Sequence, residues 1–303
     1  VASGPIVIDG EQDVVISGLH ITNPNGTCIE VRNGSTNITI ENSEIGPCGR
    51  TGEKIWSGFG IWIKGGSNHV TVRNNYIHDT WNFGVWSQKA DYIAVDKNVM
   101  INVWSGFKIW STYKGNYSFT NNFLKNMGPG AYTSWEADRR GSPNVFQAVW
   151  TSGPAIRITD NVAINIAGEN NVEDLVNLYQ SSGTASDPIL IARNKLRGGK
   201  APSGFGILLG DGADGNNASY AVAENNILVN TGSGGLAIAG GHHNIARYNK
   251  IYGDVKEKSY PNVGLTATGD CPSHTIEYNE VTFYKGTNWG NTGNKPYLFS
   301  AWR

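Results

Sequence analysis

The stretch FGIWIKGGSNHVTVRNNYIHD, residues 59–79, holds the pattern on which the fold turns. It contains three short runs rich in β-branched and aromatic residues: FGIWIKG, HVTVR and YIHD. Gly and Asn pairs separate them, and no sustained helical period or helix cap intervenes. Its last part, VRNNYI, recurs along the chain in the form apolar-x-x-Asn-x-apolar. Copies are VDKNVMI, FTNNFL, ITDNVAI, IARNKL, VAENNIL, ARYNKI and IEYNEV, which place asparagines at Asn75, Asn98, Asn122, Asn161, Asn194, Asn225, Asn249 and Asn279. An earlier copy, ITIENSEI, offers Asn42 or Ser43. The spacing runs from 23 residues to 39, so insertions fall in one part of a repeat whose remainder keeps its length.

Three short strands per repeat, with no hairpin turn between them, describe a coil that turns three times and returns above itself. The asparagine then has a physical task. It would sit at a tight bend in left-handed geometry, and its amide would bond the equivalent amide one strand spacing, about 4.8 Å, away. In this pattern the sequence resembles the right-handed parallel β-helix proteins, the pectate-lyase-like superfamily. The resemblance implies an all-β, single-domain right-handed parallel β-helix over residues 1–303, of about ten coils with an asparagine ladder.

Composition narrows the function classes. The chain has 303 residues with 24 Lys and Arg against 25 Asp and Glu, a net charge of -1. That balance gives no electrostatic case for nucleic acid or for an anionic membrane, and no apolar run is long enough to span a bilayer. Of three cysteines, Cys28 and Cys48 could form one bridge, with Cys271 left over. No Cys/His spacing suggests a metal, and adjacent His242 and His243 would point opposite ways on a strand. Neither a cofactor nor a metal is expected. A secreted monomer is the expectation.

A second repeat lies out of phase with the first. FGIWIKGG, FGVWSQKA and FKIWSTYK begin at Phe59, Phe83 and Phe107, 24 residues apart. Alternation along a strand puts Phe59, Phe83 and Phe107 inside and Trp62, Trp86 and Trp110 in one outer column. The same outer face would carry Glu30, Lys64, Gln88, Lys108, Asn177, Tyr179 and Leu208. In NVFQAVWTSG, Gln147 is expected outward, whereas a bulge would put Trp150 there instead. Insertions at 46–58, 127–144 and 167–174 would project beside this sheet and wall a groove. The longest contributes Glu136, Asp138, Arg139 and Arg140.

A calcium-assisted lyase would want an acidic cluster, and a glycosidase a carboxyl pair roughly 5–9.5 Å apart. Neither is evident on the outer face between Glu30 and the Asp211/Asp214 loop. Lys, Gln, Asn, Tyr and Arg instead suit β-elimination from a uronate polymer, in which the substrate carboxylate must be neutralised before the neighbouring proton is removed. Lys108 is expected as base and Tyr179 as acid, with the reverse open. Gln147, Asn177 and Arg139 or Arg140 would hold the carboxylate, while Lys64, Gln88, Trp62, Trp86 and Trp110 serve flanking subsites. The resemblance supports this class, since many β-helix proteins with catalytic Lys, Arg or Tyr are polysaccharide lyases, alginate lyases among them. The expected function is therefore β-elimination of an acidic polysaccharide, most plausibly alginate. The alternatives are a glycoside hydrolase using loop carboxylates such as Glu136, Asp138 or Asp174, and a non-catalytic carbohydrate-binding β-helix.

Overall fold

The repeat of residues 59–79 becomes one full coil of a parallel β-helix. Its strands Ile61–Lys64, Asn68–Arg73 and Tyr76–Thr80 enter three different sheets, here termed front, side and rear. Each pairs in parallel with its equivalents in the coils before and after. The three sheets hold 10, 10 and 11 strands in strict chain order. A computed structural model describes residues 1–50, 56–112, 114–130, 141–199, 204–211, 218–232, 234–253, 263–268 and 271–283.

Parallel stacking with matched register lets like side chains meet from coil to coil. Ile29, Ile61, Val85, Phe107, Phe146, Val176 and Ile207 form one inward column of the front sheet. All seven are essentially inaccessible. Burying such side chains, each worth about 1.5–3 kcal/mol, is the main source of stability.

The side-to-rear corner carries the ladder. Asn75, Asn98, Asn122, Asn161, Asn194, Asn226 and Asn249 each donate both a backbone N–H and a side-chain Nδ2–H to the Oδ1 of the next member, ending on Asn279. Ser43 opens the series by donating its backbone N–H to Asn75. A further Nδ2–H bond to the preceding coil's carbonyl, such as Asn161 to Phe119 O at 2.8 Å, completes each amide. Two sequence expectations are corrected here. The ladder member in VAENNIL is Asn226, not Asn225. The left-handed residue is the one before each rung: Asn74, Lys97, Asn121, Asp160, Arg193, Asn225, Tyr248 and Tyr278 all have φ between 50 and 65°. That residue makes the bend, and the bend aims the next side chain along the stack.

The Phe-x-Ile/Val-Trp phrases are not three equivalents. Val85 lies over Ile61 after 24 residues, but Phe107 lies over Val85 after only 22. Glycines set this register. A Cβ on Gly60 would stand 2.5 Å from Gly84 O, and one on Gly106 would stand 2.4 Å from Val145 O, whereas one on Gly84 would stand 3.1 Å from Gly106 O. The rear-to-front corner thus excludes a side chain at 60 and 106 and crowds one at 84. Phe59 and Phe83 precede their glycines and join Trp86 and Trp104 in a cluster separate from the main core. Phe107 follows its glycine and faces the core. The coil regains the two residues between Trp110 and Tyr117.

Cys28 and Cys48 are bridged, with α-carbons 5.5 Å apart. They stand at the start and end of one coil, so the disulfide closes that turn upon itself.

Asn226→Ala removes an amide that serves both neighbouring coils and is expected to cost about 2–3 kcal/mol in urea unfolding. Asn225→Gly, at a position that favours glycine, is expected to change stability by less than about 1 kcal/mol. Equal effects would contradict the assignment of rung and bend.

Candidate active site on the front sheet

The outward face of the front sheet carries two side-chain columns. The first runs Glu30, Trp62, Trp86, Lys108, Gln147, Asn177, Leu208. The second runs Lys64, Gln88, Trp110, Val149, Tyr179, Asp211. The two-residue shift at Phe107 thus moves Trp110 out of the column of Trp62 and Trp86 and puts Lys108 there instead. Arg139 and Arg140, with Glu136 and Asp138, lie outside the described residues.

Although they occupy two columns, the tryptophans form one aromatic run. Trp62 and Trp86 stack at 5.2 Å with planes 5° apart, and Trp86 and Trp110 at 5.9 Å and 21°. Trp110 continues to Trp150 at 5.9 Å, and Trp150 meets Tyr179 edge-on at 6.1 Å. Trp56 lies over Trp86 at 5.6 Å. This cover leaves Trp86 only 2% exposed, while Trp56 and Trp150 are 45% and 41% exposed. The indole N–H groups of Trp62 and Trp86 are buried and find no hydrogen-bond partner among the described residues.

The near end of the run is charge-paired. Lys64 places Nζ 3.5 Å from the centre of the Trp62 ring and 2.9 Å from Glu30, which also pairs with Arg32. Gln88 lies half-buried between Lys64 and Trp110.

Lys108 is different. Its ammonium approaches the Phe83 ring at 5.1 Å and has no carboxylate partner among the described residues. The residue is half-buried, yet desolvation of the amine lowers its pKa to about 8. Gln147 adjoins it in register. Tyr179 lies two strands away and two residues along, about 12 Å between α-carbons, a gap that two long side chains over Gln147 can narrow.

Beyond Gln147 lies a feature the sequence did not disclose. Asn177, 2% exposed, donates its Nδ2–H groups to Asp174 at 2.6 Å and to Asp211 at 3.0 Å. Two carboxyl oxygens sharing one nitrogen are no farther apart than those two bonds laid end to end. Asp174 is one of the loop carboxylates the sequence offered; its partner Asp211, at the boundary of the face then considered, is the member the sequence did not assign. Asp174 closes the loop 167–174, and Asp211 ends strand Phe205–Asp211. A register shift between Leu178 and Tyr179 aligns Asp211 with Tyr179, skipping Gly210 at φ 87°. Without that bulge, Asp211 would miss the site.

Burial pushes the Asp174 carboxyl up to about 7, helped by the charges of Glu173 and Asp211 and opposed by bonds from Asn177 and the Phe205 N–H. Asp211 is half-buried. The Oδ1 of Asn177 is buried and accepts no bond from the described residues. Both amide hydrogens of Asn177 are engaged, so as placed it has none left for a substrate carboxylate. Among the described residues, no group of three or more His, Cys, Asp or Glu has the geometry to hold a metal.

A sequence profile described as "Right handed beta helix region" matches residues 5–173. The chain belongs to this right-handed β-helix family. No curated protein matches it in sequence. Among solved structures, DFA-IIIase from Arthrobacter chlorophenolicus A6 in complex with GF2 aligns over 97% of this chain and 76% of its own, with 12% identity and a TM-score of 0.55. A mutant of that enzyme in complex with DFA-III aligns over 92% and 74%, with 13% identity and the same TM-score. An alginate lyase from Paenibacillus sp. str. FPU-7 aligns over 98% and 99%, with 11% identity and a TM-score of 0.41. At such identities the likeness is one of fold.

Both shifted groups make stability depend on pH. An acid whose folded pKa lies above its unfolded value near 4 favours folding at low pH, and that contribution is lost as pH rises towards 7. The stability of the wild type relative to Asp174→Asn, from urea melts, is therefore expected to decline through this window. A constant difference would exclude a protonated Asp174. Lys108→Met is expected to raise Tm at pH 7, with the gain fading between pH 8 and 10.5 as the unfolded lysine also loses its proton.

Proposed function

We infer that the front sheet is the site of a carbohydrate-active enzyme that cleaves glycosidic bonds with Asp211 and Asp174. The observation that carries this reading is the pair of carboxyls bridged by Asn177 at the end of an aromatic run, one of them holding a proton near neutral pH. Glycoside cleavage needs one carboxyl protonated and one ionised about 5 Å apart when the second attacks the sugar directly. Asp211, the more exposed of the two, meets the glycan as nucleophile or base. Asp174 gives its proton to the leaving oxygen, while water takes up the released sugar. That transfer requires the Asp174 carboxyl, 4% exposed and accepting from Asn177 and the Phe205 N–H, to swing towards the glycan. Asn177 sets its resting distance from Asp211. Front-sheet chemistry, rather than kinship at 12% identity, carries the assignment.

A second reading is favoured by one observation, the lowered pKa of Lys108. It is β-elimination from a uronate polymer such as alginate, with Lys108 as base, Tyr179 as acid and Gln147 at the substrate carboxylate. The neighbouring Asp211 weighs against it, because an ionised carboxylate repels a uronate. An extracellular setting fits the Cys28–Cys48 disulfide; free thiols at both positions in protein isolated from its source would overturn that setting.

The two chemistries leave different products. Incubated with neutral glycans and with alginate, pectate and glucuronan, the enzyme is expected to release reducing ends without the ultraviolet absorbance of an unsaturated uronate. Asp211→Asn is expected to lower kcat by about 10²–10⁴. Absorbance growing on a uronan, retained in Asp211→Asn and lost in Lys108→Met, would replace the hydrolytic reading with the lyase.

A further inference from the structure

Trp150 occupies a position that its neighbours fill with small or polar residues. It lies at the front-to-side corner, in the stacked series Gly10, Asn33, Gly65, Lys89, Ser111, Trp150, Gln180, all with φ between 46 and 71°. Left-handed geometry is costly for a bulky side chain, and such residues gather at functional sites. The interior gains nothing from this indole, which stays 41% exposed. Three contacts hold it upright. Its Nε1–H donates to Gln180 Oε1 at 2.8 Å, its ring meets Trp110, and Tyr179 abuts it edge-on. Tyr179 in turn aligns with Asp211, the carboxylate assigned to the chemistry.

We propose that Trp150 is a sugar-binding platform that stacks on the apolar face of a neutral glycan ring, in a subsite beside the one cleaved at Asp211. This deepens the hydrolytic reading above and rests on it for the position of cleavage, though not for binding itself. An indole face with its N–H already bonded offers an apolar surface, which suits a ring whose C–H groups lie on one side. Among the described residues no cation stacks on the Trp150 ring, so a charged side chain does not occupy its face. Gln180 is a positioning residue, acting through the indole N–H.

The test separates binding from cleavage. Cellohexaose, xylohexaose, inulin-derived hexasaccharide and alginate hexasaccharide are titrated into Asp211→Asn by calorimetry, with tryptophan emission followed in parallel. At least one neutral hexasaccharide is expected to bind and perturb the emission. Adding Trp150→Gly is expected to weaken that binding about tenfold. Glycine accepts φ 48°, so this variant should melt no lower than its parent. Trp150→Phe is expected to recover most of the affinity, and Gln180→Ala to lose part of it. In the active enzyme, Trp150→Gly should raise KM on hexasaccharides more than it lowers kcat. Unchanged affinity in Trp150→Gly, or no binding by any of the neutral sugars, overturns the platform. Full activity of Asp211→Asn overturns the cleavage assignment instead and leaves the binding result standing.

Discussion

The fold depends on the saturation of one buried amide per coil. A ladder asparagine offers two side-chain hydrogens, a backbone hydrogen and a carbonyl oxygen, and both adjacent coils are needed to use them. Removing any rung leaves donors and an acceptor stranded away from water. Hydrophobic stacking alone would let coils slide, since one isoleucine over another is as good as the next. The ladder forbids this at its corner and ties every sheet to a common register. Corner residues at positive φ then become fixed points at which the chain can display a side chain without disturbing the strands.

Such rigidity allows a front sheet that is poorly built by the standards of a core. Indole nitrogens and a lysine that find no hydrogen-bonding or carboxylate partner among the described residues, a tryptophan at φ 48° and a buried aspartate whose pKa is raised to about 7 occur on one face. Each is a local cost of order 1–3 kcal/mol. The side and rear sheets, of 10 and 11 strands, close the helix without the aromatic run and the carboxyl pair. Several such features meet on the front sheet, beside the aromatic run and the carboxyl pair.

Much of this was readable in the sequence, and the failures share a cause. Inward and outward faces follow from alternation, so Ile61, Ile63, Trp62 and Lys64 were assignable at once. Register between coils was not. Aligning the three phrases on phenylalanine placed Trp110 over Trp86, whereas aligning them on Gly60, Gly84 and Gly106 places Lys108 there; the steric demand of the corner acts on backbone, not on the conspicuous aromatic residue. Asn225 was preferred to Asn226 because two adjacent asparagines look alike until one knows which bends and which bonds. Asp211 was missed because a single bulge at Gly210 carries it into the site. Each error is a shift of one or two residues along a strand, which alternation alone cannot detect when two coils differ in length.

The charges at the site follow the same economy of burial. Enclosure pushes Asp174 up to about 7 and Lys108 down to about 8, so each is moved towards its neutral form. A site that discourages charge on its own acid and its own amine is poorly prepared to receive a run of carboxylates. That burial of charge is the physical ground on which the proposed reading takes a neutral sugar rather than a uronate as substrate. Asn177 lies at the junction of these demands. Its engaged amide hydrogens hold the two aspartates, while its buried Oδ1 meets no donor among the described residues.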